Sequence, residues 1–255
     1  MHAFYSLAVL LFLSCNFFSD APTSGKQASP LPDSVPMPGF PKPDREYTAS
    51  RALADKTRKT LKASYANGLV SPDSVGKAFT NCLLEEIIPY WYGTPWTFTG
   101  HTEIPGQGDI ACGYFVSTTL LHTGLKLNRY RLAQQGPADE ALMLCLDDTV
   151  RVVRCDDAAK ALDHWRAGLR DGLYFIGLGA SHVGYLLKRG NGLFLIHANY
   201  AGSREVQLQP VEESVLMGFR EFFLADITYN RRLTEHWMSG KAVPLRNTGV
   251  LMEEK

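Results

Sequence analysis

The chain has 255 residues, enough for one well-buried domain or two small ones. Lys plus Arg and Asp plus Glu both number 26, so no charge excess argues for nucleic acid or for an anionic membrane surface as partner. A content of 45% hydrophobic and 11% aromatic residues excludes wholesale disorder and leaves only the N-terminal stretch outside a globular reading.

That stretch opens with "AFYSLAVLLFLSC", an apolar run ending at Cys15. About a dozen apolar residues is the length of a signal-peptide core and too short to span a bilayer. Small Ser14 before Cys15 resembles a bacterial lipoprotein signal, which makes Cys15 a lipidated first residue; the run has only His2 and no Lys or Arg ahead of it. A simple secretory signal or a first core strand are the other readings of residues 1–15. Residues 16–45 are rich in Pro, Ser and Gly without an apolar period, which reads as a tether.

A single domain is expected over 46–230. Leu53, Thr57, Leu61 and Tyr65 recur at helical spacing, and Ser71-Pro72 opens a second helix whose buried stripe is Val75, Phe79, Cys82, Leu83 and Ile87. Residues 89–109 form a loop of aromatics and chain breakers. A helix begins at Cys112, turns Phe115, Val116, Thr119 and Leu120 inward, and stops at Gly124. Residues 125–150 have no clear period. A further helix is expected over 157–169, capped by Asp156 or Asp157. Strands follow at 173–179, 182–188, 193–199, 205–210 and about 221–228. Residues 231–255 read as a polar, peripheral tail. Helices followed by an antiparallel meander predict an α+β protein.

Export would place Cys82, Cys112, Cys145 and Cys155 in an oxidising compartment. Cys145 and Cys155 could close a short loop, and Cys82 sits on an apolar helix face. Cys112 is left over, which flags a reactive thiol. At a helix N-terminus the unpaired N–H groups and the macrodipole favour its thiolate.

Cysteine hydrolases need an imidazole within reach of the thiol and a third group to orient that imidazole. Of the seven histidines, at 2, 101, 122, 164, 182, 197 and 236, two fall in neighbouring strands of one hairpin. His122 is ten residues along the Cys112 helix, about 15 Å away. The separation of His182 and His197 depends on the turn. A turn centred on Arg189-Gly190 puts them directly opposite, about 4.5–5.5 Å apart at Cβ. An Asn191-Gly192 turn keeps them on one face four residues apart, and a three-residue turn over 190–192 puts them on opposite faces.

The segments "YGTPWTFTG…GDIACGYFVSTTLLHTGL" and "DGLYFIGLGASHVGYLLKRGNGLFLIHANY" resemble the NlpC-type cell-wall cysteine peptidases, whose pattern is a "GTPY-x-x-GG" loop, a "DCSG" helix start, a "GDLVFF" strand and "SHVGIYLGNG-x-FIHAS". The likeness covers about residues 88–200. It implies a papain-like fold, with N-terminal helices and the Cys helix packed on an antiparallel sheet. It also implies Cys112 as nucleophile, His182 as general base and acid, and His197 as the residue that orients His182. Trp96 stands where the family often has a tyrosine beside the thiol, Ala111 where it has Asp, and "CGY" replaces "CSG". Gln107, five residues before Cys112, is a candidate side-chain oxyanion donor.

The function expected from this is an exported, lipid-anchored cysteine amidase or endopeptidase acting on peptidoglycan stem peptides or muropeptides, with no cofactor. Alternatives are an acyltransferase or transglutaminase-like enzyme on the same fold, or an inactive wall-binding lipoprotein. Cys112, His182 and His197 could also ligate zinc. However, the chain carries no His-Glu-x-x-His or Cys-x-x-Cys spacing.

Overall fold

A computed structural model describes residues 12–14, 36–146 and 149–244. Helix α1 (Tyr47–Ala66) is followed by α2 (Pro72–Asn81), where Ser71 Oγ accepts the Ser74 N–H and Pro72 fills the first turn. The chain runs on through a π-helical turn, Cys82–Ile87, and a 3-10 turn, Ile88–Tyr90. Helix α3 (Cys112–His122) starts where the sequence places it, and Gly124, at φ +99°, stands just past its end. The aperiodic 125–150 region contains α4 (Arg129–Ala133) and α5 (Pro137–Cys145).

A short segment β1 (Phe12–Ser14) pairs in parallel with β2 (Arg151–Arg154). Then come α6 (Ala158–Gly168), β3 (Gly172–Leu178), β4 (His182–Arg189), β5 (Gly192–Ala198), β6 (Val206–Pro210), β7 (Glu221–Asp226) and α7 (Arg231–Ser239). The sheet order is β1-β2-β7-β3-β4-β5-β6, and every pairing after the first is antiparallel. The protein is therefore α+β.

The sheet is covered on both faces, which explains why β3, β4 and β5 read as nearly unbroken apolar runs rather than alternating ones. The front core takes Phe79, Trp91, Phe115, Leu120, Phe175, Tyr185 and Trp237, drawn from the helices and from one face of the strands. The rear core takes Leu162 and Trp165 of α6 with Tyr174, Ile176, Leu186, Leu195 and Phe222.

Two expectations are corrected. Residues 231–239 are helix rather than tail: Asn230 Oδ1 caps α7 by accepting the Leu233 N–H at 2.9 Å, and Leu233, Trp237 and Met238 enter the front core. Their apolar stripe is too short to stand out in "RRLTEHWMS". The tether also ends earlier, because Phe40 is buried in the front core beneath the Arg189 guanidinium. Cys145 belongs to the front core and Cys155 packs against the rear one. Cys15 and the remainder of the 1–35 segment lie outside the described residues.

Candidate active site

The loop before α3 is pinned in place. Ile110 N–H donates to Pro95 O at 2.9 Å, and Ala111 N–H to Gly100 O at 2.8 Å. Ala111 occupies the cap position with extended backbone and supplies no side-chain acceptor, so the first-turn N–H groups beside Cys112 are left uncapped. The Cys112 thiol lies against β4 and feels the Val183 backbone N–H, together with the N–H groups of Gly113 and of Cys112 itself. Burial nevertheless pushes the thiol up to about 11, and the Glu140 carboxyl adds to the rise. The helix end does not by itself make a resting thiolate; desolvation outweighs it.

The β4–β5 hairpin adopts none of the three registers read from the sequence. Arg189 pairs with Gly192 across a Gly190-Asn191 turn, with Gly190 at φ +52° in the first central position, where a II′-type hairpin favours glycine. Continued along the strands, this register offsets His182 and His197 by two residues on one face. Gly184 makes the diagonal approach possible, because a Cβ there would meet His197 Cβ at 2.9 Å and Ile196 O at 2.8 Å. The result is a direct contact, His182 Nε2 to His197 Nδ1 at 2.7 Å, with the rings 77° apart.

Both histidines are buried, and burial lowers His182 to about 4 and His197 well below its ordinary value. Two neutral rings in contact must share one hydrogen. With the proton on His182 Nε2, that nitrogen donates to His197 Nδ1, and His182 Nδ1 is left as a lone-pair base. His197 Nε2 then carries its own hydrogen and meets no acceptor among the described residues.

Of the other residues singled out, Trp96 is half-buried and packed on Tyr200 (centroids 6.1 Å apart). Gln107 is not part of the cluster: it is exposed in the 101–110 loop, where its backbone N–H closes a turn onto Ile104 O, and no hydrogen bond ties its side chain to Cys112. His122 is structural, its Nδ1 2.8 Å from the Tyr47 hydroxyl. Among the described residues no group of three His, Cys, Asp or Glu side chains is arranged to hold a metal ion.

Two neighbours of the site escaped the sequence reading. Tyr200 stands edge-on to His182 with centroids 5.0 Å apart, and its only signal was its place just after the His197 strand. Glu140, on α5, is 1% exposed; burial pushes its carboxyl well above the ordinary glutamate range, and Oε2 has no hydrogen-bond partner among the described residues. It fits because residue 113 is glycine: a Cβ there would lie 3.0 Å from Glu140 Oε1 and 2.8 Å from Ala133 O. Nothing in "PADEALMLC" marks that glutamate as buried. No protein-family model matches the chain, and no curated protein matches it.

Proposed function

We propose that the protein is a cysteine hydrolase of papain-like fold that cleaves amide bonds in peptidoglycan peptides through Cys112, His182 and His197. The observation that carries this reading is the 2.7 Å imidazole pair on β4 and β5, set beside a thiol that opens a buried helix. The chain order shared with NlpC-type peptidases supplies the substrate class. The apolar run before Cys15 and the Pro/Ser-rich segment after it support export and a lipid tether.

A neutral thiol beside a neutral imidazole calls for base-assisted attack rather than a preformed ion pair. Cys112 passes its proton to His182 Nδ1 as sulfur bonds to the carbonyl carbon. The oxyanion is stabilised by the uncapped Cys112 N–H. His182 then returns the proton to the amine as the C–N bond breaks. Water, deprotonated by His182, cleaves the thioester and restores the thiol. His197 accepts from His182 Nε2, which fixes the tautomer that leaves Nδ1 free.

The test is digestion of purified peptidoglycan and defined muropeptides by the purified protein, beside Cys112→Ala, with products read by mass spectrometry. Fragments made by the first and missing with the second are expected, and their masses identify the bond. Absence of fragments with both proteins overturns the hydrolase reading.

A further inference from the structure

Beyond His182 stands an exposed cation, Arg204, that pairs with no carboxylate among the described residues. Tyr200 stands edge-on to His182, Trp96 packs at a tilt against Tyr200, and the Arg204 guanidinium lies over the Trp96 ring, 5.1 Å from its centroid. The backbone holds this stack together. Trp96 N–H donates to Arg204 O at 2.7 Å, Pro95 bridges Glu205, and Val206 N–H donates to Thr94 O at 2.9 Å.

Arg204 is held at φ +53°, in the left-handed region that side chains other than glycine's rarely adopt. Asn199 shapes the turn that imposes it, its Oδ1 accepting the Ala201 N–H while its own N–H donates to Glu205 O. Strain of this kind persists where the surroundings enforce it, and it gathers at ligand sites. Among the described residues no carboxylate pairs with Arg204 and none of its side-chain donors is taken. Arg204 itself is exposed, while the Trp96 Nε1 atom beneath it is buried and donates to no described acceptor. Stacking on an aromatic face fixes the guanidinium plane and leaves its edge free for a two-point contact with a carboxylate.

We infer that Arg204, stacked on Trp96, is a specificity residue that seats a carboxylate of the substrate beside the amide attacked by Cys112. The inference rests on the hydrolase reading above, and it restricts that reading to peptides with a free acid group near the scissile bond.

The test compares two muropeptides that differ only in whether one stem carboxyl is free or amidated. The wild type is expected to favour the free acid by tenfold or more in kcat/KM, mainly through KM. Arg204→Gly accepts the backbone conformation and is expected to melt no lower than the wild type, yet to bring the ratio to within twofold of one. Arg204→Lys keeps the charge without the planar fork and retains part of the preference. A ratio unchanged in Arg204→Gly overturns the inference.

Should the wild type cleave neither peptide, the hydrolase reading fails and the inference is judged separately. Relative rates of Cys112 alkylation by iodoacetate and by iodoacetamide, at one pH, report anion attraction at the thiol. A drop of threefold or more in that ratio for Arg204→Gly supports an anion subsite, and an unchanged ratio overturns it.

Discussion

Helices α3 and α6 are each eleven residues long and pack on the same sheet, one in front and one behind. In α6, Asp157 Oδ1 accepts the Ala159 N–H at 3.0 Å, and four residues, Ala158, Ala161, Leu162 and Trp165, form the single buried stripe. In α3 the cap position is Ala111, and eight of the eleven residues are buried. Two of its hydroxyls turn back to the backbone, Thr119 Oγ1 donating to Phe115 O at 2.8 Å and Ser117 Oγ to Tyr114 O at 3.3 Å, while Thr118 Oγ1 accepts from Arg129 at 3.1 Å. The rear helix is finished at its end and half wet. The front helix is unfinished at its end and almost wholly dry. A cap is worth about 1 kcal/mol, so α3 forgoes stability at the end that Cys112 occupies.

The sharpest way to break this contrast is to remove what the open end presents. Cys112→Ala or His182→Ala is expected to lower kcat/KM by at least about 10³-fold, and the double variant by little more, because the two act as one unit. His197→Ala is expected to cost about an order of magnitude less than either. Steady-state kinetics on one cleaved muropeptide distinguishes these outcomes.

Next in size is pH. His182 is neutral in the fold down to about 4 but takes a proton in the unfolded chain below about 6.5. Stability is therefore lost as pH falls through that window, by about 3 kcal/mol for this one residue. His122, also lowered to about 4 by burial, adds a loss of the same sign. Glu140 has the opposite sign: raised by burial, it stays neutral while the unfolded chain ionises, so it removes stability as pH climbs above about 4.5. Urea midpoints against pH should show an acid limb that His182→Asn flattens, and Glu140→Gln should raise the midpoint near neutrality. An acid limb unmoved by His182→Asn would contradict the neutral pair.

The smallest effects compare the two ends directly. Ala111 already has the extended backbone of a cap, so Ala111→Asp is expected to add about 1 kcal/mol, or about 2–4 °C in Tm. Its carboxylate should also slow iodoacetamide at Cys112. Asp157→Ala should subtract a similar amount and leave that rate alone. Calorimetry and a thiol-alkylation time course suffice.

Much of the frame was legible because local chemistry decides it: Ser71-Pro72 and Asp157 mark their helices, Cys112 opens its own, and five strands carry their apolar runs. The thiol and both histidines were readable from their order along the chain. What failed depends on packing between distant segments. The Gly190-Asn191 turn wins over Asn191-Gly192 through the register of whole strands. Strand β2 and helices α4 and α5 are too short for a period to emerge. Burial overrides the helix end at Cys112. Glu140 and Arg204 acquire their surroundings only when residues 113 and 96 arrive beside them.

Helix α7 has a consequence for the order in which the molecule can be assembled. Trp237 Nε1 donates to Thr123 O at the far end of α3, its ring packs on Phe79, and Arg58 of α1 reaches the Trp237 carbonyl. Strand β7, immediately before it in the chain, sits between β2 and β3. Contacts this far apart in sequence are slow to form. A nascent chain can close neither its sheet nor the floor of its thiol helix until residues 221–239 have left the ribosome. Completion of the site therefore depends on the strand and helix that come latest in the chain among the described elements.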